Sequence, residues 1–438
     1  MASSRGVRRM IRWGLQHGLL RRIVTRDAAR GDLSARLMID PTVIADPFPY
    51  YDQVRAQGRL VPGTLVHLTA HHDVASAVLR SPDFGVIAGP APLSRWMQLA
   101  IRAGGRGSYG PISPPSLLAI DPPDHTRIRR LVSRAFSARA VANLRSRTEE
   151  IAMELLDRMA TRGRTGDLIA DYAGPLPATV IAEMLGAPVE MREQFLSWGA
   201  GAALSLDLGL SYRDFRRSER GLDALHAWMV GHFDHLREHP SDTILSNLVR
   251  AHGDGALSAD ELAVTGMLLL AAGFETTVNV IGNGVALLVA HPDQLAKLLD
   301  NPGSWPRAVE EILRYDSPVQ RTGRIAQRET EVAGERVRAG TLVITLLGGA
   351  NRDPAVFTDP HRFDITRANA GAHLAFSSGI HFCIGAALAR MEGEIALRAL
   401  FERFPDLRLA GPPRRRPTRV LRGYESMPVA LTSAAVRS

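Results

Sequence analysis

Residues Ala375–Arg390 read AFSSGIHFCIGAALAR and contain Cys383, the only cysteine in a chain of 438 residues. A lone cysteine is ordinarily a small buried hydrophobe. This one is framed by Phe376, Gly379, His381 and Gly385. Leu388, Met391, Ile395 and Ala399 then recur at helical spacing. Cys383 therefore stands just ahead of a helix N-terminus, where free amides and the helix dipole favour a thiolate. The two glycines allow backbone to approach something flat, and Phe376 can shield one side. The stretch fits a metal-bound thiolate, for which haem iron is one partner.

The composition around this stretch is that of an ordinary globular protein, with 45% hydrophobic and 22% charged residues. A single cysteine excludes an intramolecular disulfide and fits a reducing cytoplasm. The net charge of +8 comes almost wholly from arginine, Lys297 being the only lysine. Such a surplus suits an acidic partner, an anionic membrane or nucleic acid. No basic groove interleaved with aromatics supports nucleic acid. Residues 1–26 carry seven arginines and no acid. Val7, Ile11, Leu15, Leu19 and Ile23 repeat every fourth position and line one helical stripe. A basic amphipathic helix of this kind can lie on an anionic bilayer; an extension packed on the domain, or hanging from it, fits the pattern equally.

Residues 1–44 read as this basic extension and 45–438 as one domain, α-rich with a small β part. Asp83–Pro123 dissolves into Gly, Pro and Ser, and a loop of that length is usually functional. Ser258–Ala290 is apolar on nearly every side, which marks a buried helix. Ser258 and Glu261 form a capping box at its start. Short β-like runs with Gly at the turns follow Pro318.

Two motif matches fail on context. Gly105-x-Gly107-x-x-Gly110 has no strand before it and no βαβ unit around it. His235-Leu-Arg-Glu238-His239 abuts Pro240 in a polar stretch that reads as a solvated helix end. The buried helix is more telling, because Glu275, Thr276 and Thr277 interrupt its apolar cylinder. A buried carboxylate needs a partner or a wet cavity. Gly273 loosens that turn, and a loosened turn bearing an acid and an alcohol suits proton delivery. Glu311 and Arg314 lie three apart on one helical face; if buried, loss of either costs ~3–5 kcal/mol.

Taken together, these segments resemble the cytochrome P450 family, specifically its soluble bacterial members. Phe376-x-x-Gly379-x-His381-x-Cys383-x-Gly385 resembles the haem-thiolate signature, Glu311-x-x-Arg314 the structural pair, and Ala272-Gly273-x-Glu275-Thr276 the oxygen-activation segment. The resemblance runs from about residue 45 to 435, with the motifs in order. It implies an α+β fold, mainly α with a small β region, built on a long central helix. It implies haem b held by Cys383, with His125, Arg129, Arg324 and His381 on the propionates. Arg362 is implied as third member of a triad with Glu311 and Arg314. Two departures stand out: Ser377 occupies a position where many relatives have glycine, and the N-terminal extension is longer than usual.

The implied activity is monooxygenation, one oxygen atom of O2 entering a C–H bond of a lipophilic small molecule. Polyketide or macrolide, fatty-acyl and steroid-like substrates all fit, the polyketide being favoured. Thr276 and Glu275 are the implied proton relay, which argues against a carrier without turnover and against a peroxide-driven relative. Loop 84–118, Ala271, Ala272, Val319 and Met427 are the implied substrate contacts. Electrons are expected from a separate ferredoxin and its reductase, with NAD(P)H acting only through them. Arg127, Arg130, Arg134 and Arg390 are the expected docking residues. The expected location is cytoplasmic, with peripheral membrane contact through residues 1–26 left open.

Overall fold

The computed structural model describes residues 2–86 and 107–431, with side chains from residue 6 onward. Two helices, α1 (Ala2–Trp13) and α2 (Leu19–Ala29), are joined by a π turn at Gly14–Gly18. The body comprises α3 (His72–Arg80), α4 (Asp124–Ser133), α5 (Arg145–Arg162), α6 (Pro175–Leu185), α7 (Arg192–Leu204), α8 (Tyr212–Glu238), α9 (Ala259–Ala290), α10 (Trp305–Tyr315) and α11 (Ala386–Arg403), with shorter helices between. Much of loop 84–118 lies outside the described residues, as does Gly105.

The organising element is α9, 32 residues starting at the capping box formed by Ser258 and Glu261. At ~1.5 Å per residue it crosses the whole body. It is long and apolar enough to span a membrane but is mostly buried within the protein, as a core helix is. Helices α6, α7, α8, α10 and α11 pack on it directly. Small residues set those contacts. A side chain at Gly273 would meet Ile181 Cγ1 on α6 at 2.5 Å, and one at Gly199 on α7 would strike the Phe274 ring. The helix runs unbroken through Gly273. The loosened turn expected there is absent: the glycine serves packing on α6.

The β part is a five-stranded sheet ordered β1 (Val61–Pro62), β2 (His67–Thr69), β6 (Leu342–Thr345), β5 (Thr322–Ala326), β3 (Phe84–Gly85), in which only β2 and β6 run parallel. It places Arg324 opposite Val343. A second sheet joins β4 (Thr165–Asp167), β8 (Pro428–Ala430) and β7 (Arg408–Leu409). Leu33, Leu37 and Val43 pack with Tyr50, Tyr51 and Val54 in one apolar cluster. The compact body therefore takes in residues 33–44, which the sequence assigned to the extension.

Candidate functional site

The Cys383 loop is built by backbone. The Cys383 amide donates to the Phe376 carbonyl at 2.9 Å. A 3₁₀ turn at Gly379–His381 precedes Cys383, and α11 begins three residues after it. Gly379 has φ +71°, and a side chain there would strike the Leu79 carbonyl of α3. That glycine is required by its contact with α3, whereas a Cβ on Gly385 would meet nothing within 4 Å. Phe376 is buried, and the Arg390 guanidinium lies 4.5 Å above its ring.

Opposing influences act on the Cys383 sulfur. Solvent reaches the residue along one side, yet the surrounding protein is close enough that burial pushes the thiol up. The Gly385 amide, Arg129 and Arg390 pull it back toward the thiolate.

Four nitrogen bases converge beside this sulfur. His125 and Arg129, four residues apart on α4, share a face. The His125 and His381 rings lie 4.3 Å apart between centroids. Both Nε2 atoms are buried without a hydrogen-bond partner. Arg324 is buried and, among the described residues, bonds Thr322 Oγ1 and the Gly323 carbonyl, at 3.3 and 2.8 Å. Burial pulls its guanidinium down to about 10, against the pull of Asp121. Burial, Arg324 and His125 hold His381 down at about 4. Asp121, with Oδ1 3.8 Å from His381 Nε2, is the nearby acid, and it also accepts from the Val86 amide. Buried donors crowded with like charge call for anions. A flat group carrying two carboxylates, laid against Cys383, fits this donor set.

On α9, the Thr276 hydroxyl donates to the Ala272 carbonyl at 3.2 Å. Ala272 is exposed midway along an otherwise buried helix, so this turn faces accessible space. Glu275 is buried; Arg416 binds its Oε1 while Oε2 has no partner. Burial raises the Glu275 carboxyl and Arg416 opposes the rise. Arg416 comes from a hairpin 141 residues later, and nothing in the sequence announces the pairing.

The remaining expected residues divide. Arg314 clamps Glu311 through two bonds, Nε to Oε2 at 2.7 Å and Nη2 to Oε1 at 2.8 Å, with both side chains fully buried. The third member is Arg367 and not Arg362: Arg367 Nε reaches Glu311 at 3.3 Å. Arg362 is exposed, and only its backbone carbonyl takes part, accepting from Arg314 and Arg367. The run Phe363-Asp-Ile-Thr-Arg367 carried that arginine unnoticed. Val319 is half-buried and bridged to Leu421. Met427 is fully buried in the main core beside Asp167, whose Oδ1 accepts from its amide, and so it does not line accessible space.

The family profile "Cytochrome P450" matches residues 306–418. The protein named cytochrome P450 140 in Mycobacterium tuberculosis is 48% identical over 433 residues, covering 97% of this chain and 98% of that one. The 6-deoxyerythronolide B hydroxylase of Saccharopolyspora erythraea is 44% identical over 318 residues, 71% of this chain and 76% of that protein. Among solved structures, P450BioI in complex with hexadec-9Z-enoic acid ligated acyl carrier protein superposes with a TM-score of 0.80 at 34% identity, covering 89% of this chain and 100% of that one. With a relative matched along almost its entire length, the chain belongs to the cytochrome P450 family.

Proposed function

We propose that the protein is a haem b monooxygenase that hydroxylates a lipophilic polyketide or macrolide, with electrons delivered by a ferredoxin and its reductase. The observation that carries this reading is the pair of buried, unpartnered Nε2 atoms of His125 and His381, gathered with buried Arg324 and with Arg129 beside Cys383. Bound there, haem supplies the activation of dioxygen and its transfer to carbon.

The chain's own residues supply the rest. The four bases bind the propionates, and Cys383 donates its sulfur to the iron under the pull of the Gly385 amide, Arg129 and Arg390. Ala271 and Ala272, with side chains too small to fill the space, leave room for substrate over α9, and Val319 borders it from the β side. Thr276, in place of its bond to Ala272, can turn its hydroxyl to hold a proton at the reacting oxygen. Glu275 Oε2 holds the next proton, with Arg416 fixing the other oxygen. The polyketide class is supported by the relative named for hydroxylating 6-deoxyerythronolide B.

For electron entry, Arg130 and Arg134 are exposed on and just after α4, whose Arg129 donates to the Phe382 carbonyl of the Cys383 loop, and that loop exposes Ile380 and Phe382. Arg127 and Arg390 are engaged internally, with Glu261 and Asp124 and with Glu310 respectively. Docking therefore falls to Arg130 and Arg134. A cytoplasmic location accords with the lone reduced cysteine.

A spectral titration against polyketide, fatty-acyl and steroid panels tests the substrate class. Macrolide-sized polyketides should give the largest spin-state shift at the lowest concentration. A response confined to fatty acids or steroids would overturn that choice. In parallel, the double variant His125→Ala/Arg324→Ala should purify folded with haem occupancy at least tenfold lower; unchanged occupancy would remove the propionate assignment.

A further inference from the structure

The N-terminal helix pair is anchored on one side and open on the other. Toward the body, Arg9 and Arg12 both bond the Glu219 carboxylate of α8, at 2.5 and 2.6 Å. The Trp13 indole donates to the Leu210 carbonyl and meets Tyr212 edge-on. His17 is buried against Phe215, and its Nδ1 accepts from the Leu210 amide. Arg21 donates to the Gly209 carbonyl, and Val24 seals the seam with Ala35 and Met38. The pair is thus a fixed part of the surface.

Away from the body the chemistry changes. Val7, Met10 and Leu19 are 56, 58 and 55% exposed, and Ile23 is 39% exposed. They are four of the twelve large apolar side chains exposed among the described residues, within a span of 17 positions. Singly scattered apolar residues mean little, but a concentration does. A strict four-residue repeat drifts by about 40° per step around an α-helix. The wider π turn at Gly14–Gly18 takes back part of that drift, so Val7 and Met10 before it and Leu19 and Ile23 after it are exposed, while Ile11 and Leu15 between them are half-buried.

Unneutralised charge edges these exposed side chains. Arg8, Arg22 and Arg26 are exposed and have no acidic partner, and residues 6–26 contain no acid. Arg22 and Arg26 lie one turn apart alongside Leu19 and Ile23. A second copy of this chain on the same face would set arginine against arginine. A nucleic acid would match the charge and leave the apolar side chains wet. A layer with anions at its surface and hydrocarbon beneath matches both parts.

We infer that the outer face of residues 7–26 lies in the plane of an anionic phospholipid bilayer, with Val7, Met10, Leu19 and Ile23 below the phosphates and Arg8, Arg22 and Arg26 level with them. Arginine suits this depth because its methylenes stay with acyl chains while its guanidinium forks onto phosphate. The inference is independent of the substrate and of haem chemistry.

Flotation of the full-length, haem-loaded protein with vesicles tests it. The protein should rise with phosphatidylglycerol–phosphatidylcholine vesicles, less so in high salt, and stay down with pure phosphatidylcholine. Arg22→Glu/Arg26→Glu should weaken binding at least tenfold, since each surface arginine contributes roughly fivefold. Leu19→Glu/Ile23→Glu should abolish it. Both variants alter exposed side chains and should keep the ferrous–CO spectrum and the melting temperature. Wild-type indifference to anionic vesicles, or flotation of either variant like wild type, would overturn the inference. So would a lipid-free dimer, or a lipid-free complex with an acidic carrier protein, that Leu19→Glu/Ile23→Glu dissolves while flotation persists.

Discussion

Ser377 holds φ +64°, a left-handed conformation in which a side chain crowds its own backbone, and its buried hydroxyl has no partner. A glycine here would avoid both penalties. Ser377→Gly should therefore stabilise the protein by about 1 kcal/mol, read as a rise in melting temperature with the haem spectrum unchanged; a fall would show that the serine makes a contact of its own. On α9, Thr276→Ala should retain haem and substrate binding but divert electrons into hydrogen peroxide. Glu275→Gln should slow turnover more than it weakens binding, because Arg416 still has an oxygen to hold. Peroxide assays and product yield per electron check both, and unchanged coupling in Thr276→Ala would end the relay role. At this scale the sequence was most legible where structure is local, as in the helix start just after Cys383 and the capping box of Ser258 and Glu261. It was least legible where a partner arrives from far along the chain, as Arg416 does.

Among elements, the clamp between α10 and the segment 351–367 is the clearest case of legibility with a limit. Spacing alone paired Glu311 with Arg314, because residues three apart share a helical face. Spacing could not choose between Arg362 and Arg367, since both lie in irregular backbone whose path only tertiary packing decides. The structure makes the choice testable. Glu311→Ala strands Arg314 in the core and should cost ~3–5 kcal/mol. Arg367→Ala should cost less but clearly destabilise, while Arg362→Ala should stay within ~0.5 kcal/mol of wild type. Equal losses from the two arginines in thermal melts would contradict the clamp as described. The docking of α1 and α2 carries its own pH signature. Burial lowers the His17 imidazole to about 4 from an ordinary 6.5, so the folded state binds fewer protons than the unfolded chain between those values. Stability of the docked helices is complete above about 6.5 and declines as pH falls toward 4. Hydrogen-exchange protection factors across residues 7–26, corrected for the intrinsic pH dependence of amide exchange, should fall as pH drops over that interval. Removing the titrating group with His17→Phe should flatten the dependence; a wild-type protection factor that ignores pH would contradict the buried neutral ring. The amphipathic stripe was visible in the sequence, but which side faced the body was not, because arginines occur on both.

For the whole molecule, the long capped helix, the order of motifs and the α-rich body were all legible, because each rests on periodicity that survives without tertiary context. The sheet order and the cluster of bases around Cys383 were not, since α4, β5 and the Cys383 loop are brought together only by the fold. The surplus of arginine also resolves only in the structure, where ion pairs consume Arg127 and Arg390 and leave Arg130 and Arg134 exposed. Reduction by an acidic ferredoxin should slow steeply with salt as the Debye length shrinks from ~10 Å at 0.1 M to ~3 Å at 1 M, while dithionite reduction should not. Arg130→Glu/Arg134→Glu should reproduce the slowing at low salt, and a stopped-flow rate indifferent to salt and to both reversals would move the docking surface elsewhere. The proposed haem chemistry and its supply of electrons rest on one sulfur. The most direct measurement is the ferrous–CO difference spectrum of the wild-type protein beside Cys383→Ser. The red-shifted thiolate band should appear in the first and be absent from the second, with the fold intact by circular dichroism. A band that survives the substitution would show that Cys383 is not the axial ligand.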